Sequence, residues 1–152
     1  MADIKQMKML LELEQKKVDE AAAQFAQVQQ QVDDEKQRLN GLAQYRLDYL
    51  KQLQQRGGDG ILSQQFGQYH GFVGKLDEGL EHLHKSVTRL QQVAEQRRQQ
   101  WLAQRRKYDS IEHLIEKQEQ REAAVQARRE QKDLDEFSSQ RFIRAARQRN
   151  NK

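Results

Sequence analysis

The sequence predicts an all-α fold, a long antiparallel two-helix coiled-coil hairpin with an overhanging C-terminal helix. Three observations predict it. Ile4, Leu11, Val18, Phe25, Val32 and Leu39 stand at strict seven-residue intervals, and Met7, Glu14, Ala21, Val28, Glu35, Leu42 and Tyr49 fill the place three residues after each. The rhythm stops at Gln55-Arg56-Gly57-Gly58-Asp59-Gly60. It then resumes through Tyr69, Val73, Leu76, Leu80, Leu83, Val87, Leu90, Ala94, Arg97, Trp101, Gln104, Tyr108, Ile111 and Ile115. Alternating steps of three and four wind an apolar seam along one side of a helix, a seam that suits a partner helix better than a globular core.

The composition agrees with a seam. Of 152 residues, 36% are hydrophobic and 33% charged, with a mean hydropathy of −1.12. That is too little apolar material for a compact core of ordinary size, yet enough for two seam places per heptad. A chain this polar also invites a disordered reading, but disorder would not hold a seam in register for so long. Proline is absent, so no backbone donor is missing from either helix. Runs such as Gln29-Gln30-Gln31 and Gln99-Gln100 supply good helix formers without charge.

Taken in order, helix one spans about 3–55, roughly 80 Å at the α-helical rise, with a weak point at Asn40-Gly41. A turn follows at 56–62, where Gly57, Gly58 and Gly60 accept positive φ and Asp59 bonds its own backbone. Helix two spans about 63–134, with Ser63 as its N-cap, and a basic tail covers 135–152. The whole of 1–152 reads as a single coiled-coil domain. A turn centred on Gly57 to Gly60 places Leu39 near Glu78, Val18 near Gln99 and Ile4 near His113. Beyond Ile115, helix two then has no partner in the chain.

Charge follows the same division. Five of the 27 basic residues (Arg141, Arg144, Arg147, Arg149 and Lys152) lie beyond the last acidic residue, Glu136. This leaves 22 basic against 23 acidic residues in 1–140, a balance of −1, so the +4 excess resides in the tail.

No catalytic constellation emerges. The glycine-rich turn lacks the lysine and hydroxyl of a phosphate loop. His82 and His84 are two apart on a helix and point to different sides, while His70 and His113 read as solvated, so no metal or other cofactor is expected. Cysteine is absent, which excludes disulfides and thiolate sites. Met9-Leu10-Leu11 is too short for a signal-peptide core, and no apolar run approaches the roughly 20 residues of a membrane span. The expectation is a soluble, cytoplasmic protein without membrane insertion.

Two segments remain as candidate interaction surfaces. Phe66, Tyr69, Phe72, Val73 and Leu76 form an apolar group near the turn. Tyr69, Val73 and Leu76 belong on the seam and Phe72 lies beside it, at least half exposed. Gly67, Gly71 and Gly74 leave the opposite side bare, and a smooth face beside an exposed aromatic favours docking. In the tail, Leu134, Phe137, Arg141, Phe142 and Ile143 give a short amphipathic pattern for a protein partner. The arginines also admit a solvated terminus or phosphate binding, although no nucleic-acid module is present.

Gln44-Tyr45-Arg46-Leu47-Asp48-Tyr49, Gly58-Asp59-Gly60-Ile61-Leu62-Ser63, the segment Tyr69 to Leu76 and Lys132-Asp133-Leu134-Asp135-Glu136-Phe137 together resemble the FliJ family of the bacterial flagellar type III export apparatus. The resemblance implies a non-enzymatic coiled-coil stalk, similar in shape to the γ stalk of rotary ATP synthases. It would sit in the hexameric flagellar export ATPase, couple that ring to a membrane export gate and associate with export chaperones at the inner-membrane apparatus. The gate-contacting residues would be Tyr69, Phe72 and Leu76, and those toward the ATPase ring Phe137, Arg141, Arg144 and Arg147. A generic coiled-coil adaptor is the alternative; a basic helical nucleic-acid binder is a weaker one.

Overall fold

Two helices account for the computed structural model, which describes residues 3–57 and 63–151. α1 runs Ile4–Gly57 and α2 runs Ser63–Asn150. Gly58, Asp59 and Gly60 of the predicted turn lie outside the described residues, as do the side chains of Ser63 and Phe66. α1 starts where the sequence supplies a cap. The Asp3 carboxylate accepts the Lys5 amide at 3.3 Å, which satisfies one otherwise orphaned donor, and the Asp3 backbone carbonyl accepts the Met7 amide at 3.0 Å as the first bond of the helical ladder. α2 continues through Asn150, past the position near 134 where the sequence reading ends it.

The glutamines do more than fill the surface. Gln30 donates to Asp34 at 3.0 Å, Gln44 to Asp48 at 3.0 Å and Gln131 to Asp135 at 3.1 Å, each four residues along. Gln99 reaches back to Glu95 at 2.9 Å and, ahead of the Arg98 charge, holds that carboxyl below its ordinary range. Such pairs stabilise a helix by about 0.2–0.5 kcal/mol each.

The chain divides into two units, one made of residues up to Gln15 with those from Arg106 onward, the other of Lys16–Arg105. Within each, α1 and α2 pair antiparallel along the predicted seam. Every seam position named from the sequence is buried or half-buried, and the positions between them are mostly exposed. In the 16–105 unit, Val32, Leu53, Val73, Leu76, Val87 and Ala94 are the buried apolar residues, each large one contributing about 1.5–3 kcal/mol through burial. Phe25 meets Trp101 with ring centroids 5.9 Å apart, and the Arg105 guanidinium lies 5.4 Å from the Trp101 ring. Arg46 grips Asp77 through Nε and Nη2. In the other unit Ile115 is buried, and Ile4, Met7, Leu11, Tyr108, Ile111 and Gln118 are half-buried.

The register differs from the sequence expectation by about one helical turn. A turn centred on Gly57 to Gly60 would set Leu42 opposite Lys75, Gln24 opposite Val93 and Glu14 opposite Ala103. Instead a Cβ at Gly79 would lie 3.3 Å from the Leu42 side chain, Arg97 donates to Gln24 at 3.4 Å, and Lys107 approaches Glu14 at 3.4 Å. All three partners fall four residues further along. The reason is the connection: α1 reaches Gly57 and α2 starts only at Ser63, which moves the point of reversal toward higher numbers. Pairing accordingly extends past Ile115 to an ion pair between Lys8 and Glu119 at 3.0 Å.

Cysteines at positions 42 and 79 are expected to crosslink within one chain at low concentration, whereas a 42/75 pair should not. Non-reducing electrophoresis after mild oxidation checks this. Preferential closure of the 42/75 pair would restore the shorter turn.

Candidate interaction surfaces

The first candidate surface grows from the end of α1. Tyr45 and Tyr49 are four apart and share a side of that helix. Against them α2 sets Tyr69 and Phe72, three apart. Tyr49 packs edgewise on Phe72 at 4.9 Å and on Tyr69 at 5.8 Å, and Tyr45 on Phe72 at 6.4 Å. Arg56 donates from Nη1 to the Tyr69 hydroxyl at 2.9 Å. Edge-to-face geometry sets the positive rim of one ring on the negative face of another, worth about 0.5–1.5 kcal/mol a pair beyond area.

Phe72 is 38% exposed and Tyr45 51% exposed, so the cluster is half core and half surface. Of the three residues assigned to the gate, Tyr69 is half-buried, Phe72 is exposed along one side and Leu76 is buried. Leu76 therefore belongs to the buried seam and not to the exposed surface. Tyr45 was missed as part of it. Its signals were the four-residue spacing from Tyr49 and the expected register, which sets it opposite Phe72.

Burial pushes the Tyr49 hydroxyl above its ordinary value near 10, the neighbouring Tyr69 and Tyr45 adding to the rise and Arg56 opposing it. Burial likewise raises Tyr108, with Glu112 and Asp109 adding to it. A phenol whose pKa is raised on folding contributes stability that is present below its unfolded value and lost as pH climbs through the folded one. Thermal stability is therefore expected to fall above about pH 10, and Tyr49→Phe to make the fall shallower. Melting followed by circular dichroism between neutral and alkaline pH checks it. An unchanged alkaline slope in Tyr49→Phe would remove this hydroxyl from the account.

The second candidate surface is the end of α2. Every described residue from Glu119 onward is exposed, among them Val125, Leu134, Phe137, Phe142 and Ile143. Phe137, Arg141, Arg144 and Arg147, assigned to the ATPase ring, all lie on this stretch in helical conformation. Arg147 and Arg149 occupy the last turn, where cations complement the helix dipole. Leu134, Phe137 and Arg141 follow one another at helical spacing and share a side.

Among the described residues no group of three or more His, Asp and Glu side chains is arranged to hold a metal, and no helix is long and apolar enough to cross a membrane. The two helices, paired antiparallel along an apolar seam, define a coiled-coil protein. The chain belongs to the flagellar FliJ protein family, whose profile matches residues 4–147. It is 24% identical over 135 residues to the flagellar FliJ protein of Salmonella typhi, a match covering 89% of this chain and 92% of that one. Membership makes it a non-enzymatic component of the flagellar system. No solved structure matches it.

Proposed function

We propose that this chain is the stalk of the flagellar type III export apparatus, joining the hexameric export ATPase to the membrane export gate and associating with export chaperones. One observation carries the reading: more than thirty helical residues of α2 stand without a partner in α1 and end in a row of arginines. A bare helix of this kind is marginal in water and gains most by entering a binding partner. Phe137, Arg141, Arg144 and Arg147 are the groups for the ATPase ring, where charge-assisted hydrogen bonds to carboxylates or carbonyls would hold the arginines. Tyr69 and Phe72, with Tyr45 beside them, are the groups for the gate.

The test is ATP hydrolysis by the purified export ATPase with increasing amounts of this chain. Stimulation is expected. Arg141→Gln, Arg144→Gln and Arg147→Gln together should weaken it severalfold and make the remainder less sensitive to salt, because exposed charges are screened over about 8 Å at physiological ionic strength. Absence of any stimulation at saturation would overturn the reading. Tight, salt-dependent binding of the chain to random-sequence DNA would favour the nucleic-acid alternative.

A further inference from the structure

The unit made of the start of α1 and the later part of α2 carries an apolar patch outside its seam. With seam residues Ile4 and Met7 as positions a and d, Leu10 is a g position, Leu13 a c position and Met9 an f position. Together they form a wedge about 100° wide at the α-helical angular step. All three are exposed, between 45% and 59%. On α2, Leu114 is also a g position by the same count and is 55% exposed.

Antiparallel pairing brings g positions of the two helices to one flank and e positions to the other. Two contacts show it, the first in the 16–105 unit and the second in this one. Tyr45 and Phe72, both g, touch, and Lys8 and Glu119, both e, form an ion pair at 3.0 Å. Leu10, Leu13 and Leu114 therefore share one flank of this unit.

Charge on α2 is sorted between the same flanks. Lys107, Lys117 and Arg121 stand with Leu114 on the c and g side, and no acidic residue stands there from Lys107 through Arg121. Lys107 is turned toward Glu14, which leaves Lys117 and Arg121 as the outward cations. Asp109, Glu112, Glu116 and Glu119 stand on the b and e side, with no large apolar residue among them. On α1, Asp3 (g) adds to the first flank and Lys5 (b), Lys8 (e) and Glu12 (b) to the second, so the leucine-rich flank is net basic and the other, without leucines, net acidic.

We infer that the leucine-rich flank receives an amphipathic helix of another protein, with acidic residues bordering its apolar stripe, as a third strand beside α1 and α2. Charge complementarity selects this occupant. A second copy would bring either a like-charged basic row to the same flank or an acidic flank with no apolar side chains to meet Leu10, Leu13 and Leu114. The surface is distinct from both the aromatic cluster and the arginine end, and does not depend on the export reading.

The experiment uses the full chain and a synthetic, dye-labelled helix of about three heptads, with leucine at the stripe positions and glutamate on both borders. Fluorescence anisotropy is expected to show saturable binding. Leu10→Glu with Leu114→Glu should weaken it about tenfold or more, the cost of losing central contacts. Lys117→Glu with Arg121→Glu should weaken it severalfold at low salt, and the same peptide with lysine borders should bind worse than the glutamate one. Leu13→Gln, a fully tolerable change at an exposed position, should also weaken binding while leaving the melting curve in place. Equal binding by all leucine variants, or by the lysine-bordered peptide, would overturn the proposal. So would sedimentation showing that the chain self-associates through Leu10 and Leu114.

Discussion

Ending the chain after Gln120 is expected to leave the paired helices folded and to abolish stimulation of the export ATPase. The two halves of this result come from one fact. Residues after Gln120 are all exposed and bury nothing against α1, so their removal takes away helix without taking away core. Helical signal per chain should drop by the share of residues deleted. The melting midpoint should move by no more than the loss of a few local pairs such as Gln126 with Glu130 and Gln131 with Asp135, each about 0.2–0.5 kcal/mol. Stimulation should disappear because Phe137 and the arginines disappear with the segment. The measurement is ATP turnover against added truncated chain, alongside circular dichroism. A truncated chain that stimulates fully would move the ATPase contact to the paired helices.

The second large effect concerns Glu14. It occupies a seam position, is 1% exposed, and has the Lys107 ammonium 3.4 Å away. A carboxylate out of water is costly, and its attraction to a partner seldom exceeds that cost. Lys107 is itself well exposed, so it returns to water without penalty when Glu14 is gone. Glu14→Leu is therefore expected to stabilise the pairing, by about 1–4 kcal/mol on the scale of buried ion pairs replaced by apolar residues. Lys107→Met should act in the opposite direction, because it leaves the carboxylate buried with less support. Denaturant melts of the two variants decide it. Destabilisation by Glu14→Leu would mean that the carboxylate contributes more than it costs. The stabilised variant should lose something else: a polar group at a seam position favours one register over its neighbours, so Glu14→Leu should form a wider set of crosslinks in cysteine pairs along the seam.

The seam was legible apart from its ends at Leu53 and Gln118, which the series stopped short of, since burial in a two-helix pair depends only on which side of its own helix a residue takes. Val32, Val87, Ala94 and Ile115 fell where the spacing put them. Register was not legible, because it depends on how the connection between Gly57 and Ser63 is made, and a shift of a few residues preserves every seam position while changing every partner. Phe72 stands beside the seam as its spacing placed it, and its contacts with Tyr45 and Tyr49 went unread because a seam pattern pairs seam positions and leaves their flanks unassigned. Glu14 and Glu35 read as faults in an apolar series, and only the cross-helix register shows that Glu14 meets a lysine. The helical state of the residues after Leu134 was also out of reach. Their apolar residues do not keep the seam rhythm, and the glutamine-to-acid pairs that support them are weak one at a time.

Trp101 has a consequence for anyone following this molecule by light. It is the chain's one tryptophan, and it sits half-buried between Phe25 and the Arg105 guanidinium. Its emission therefore reports the 16–105 unit alone: parting the helices there would hydrate the indole and shift its spectrum to the red. The other unit holds no indole, so an unfolding curve drawn from tryptophan emission and one drawn from total helicity would coincide only if both units come apart together. Any gap between the two curves measures their independence directly.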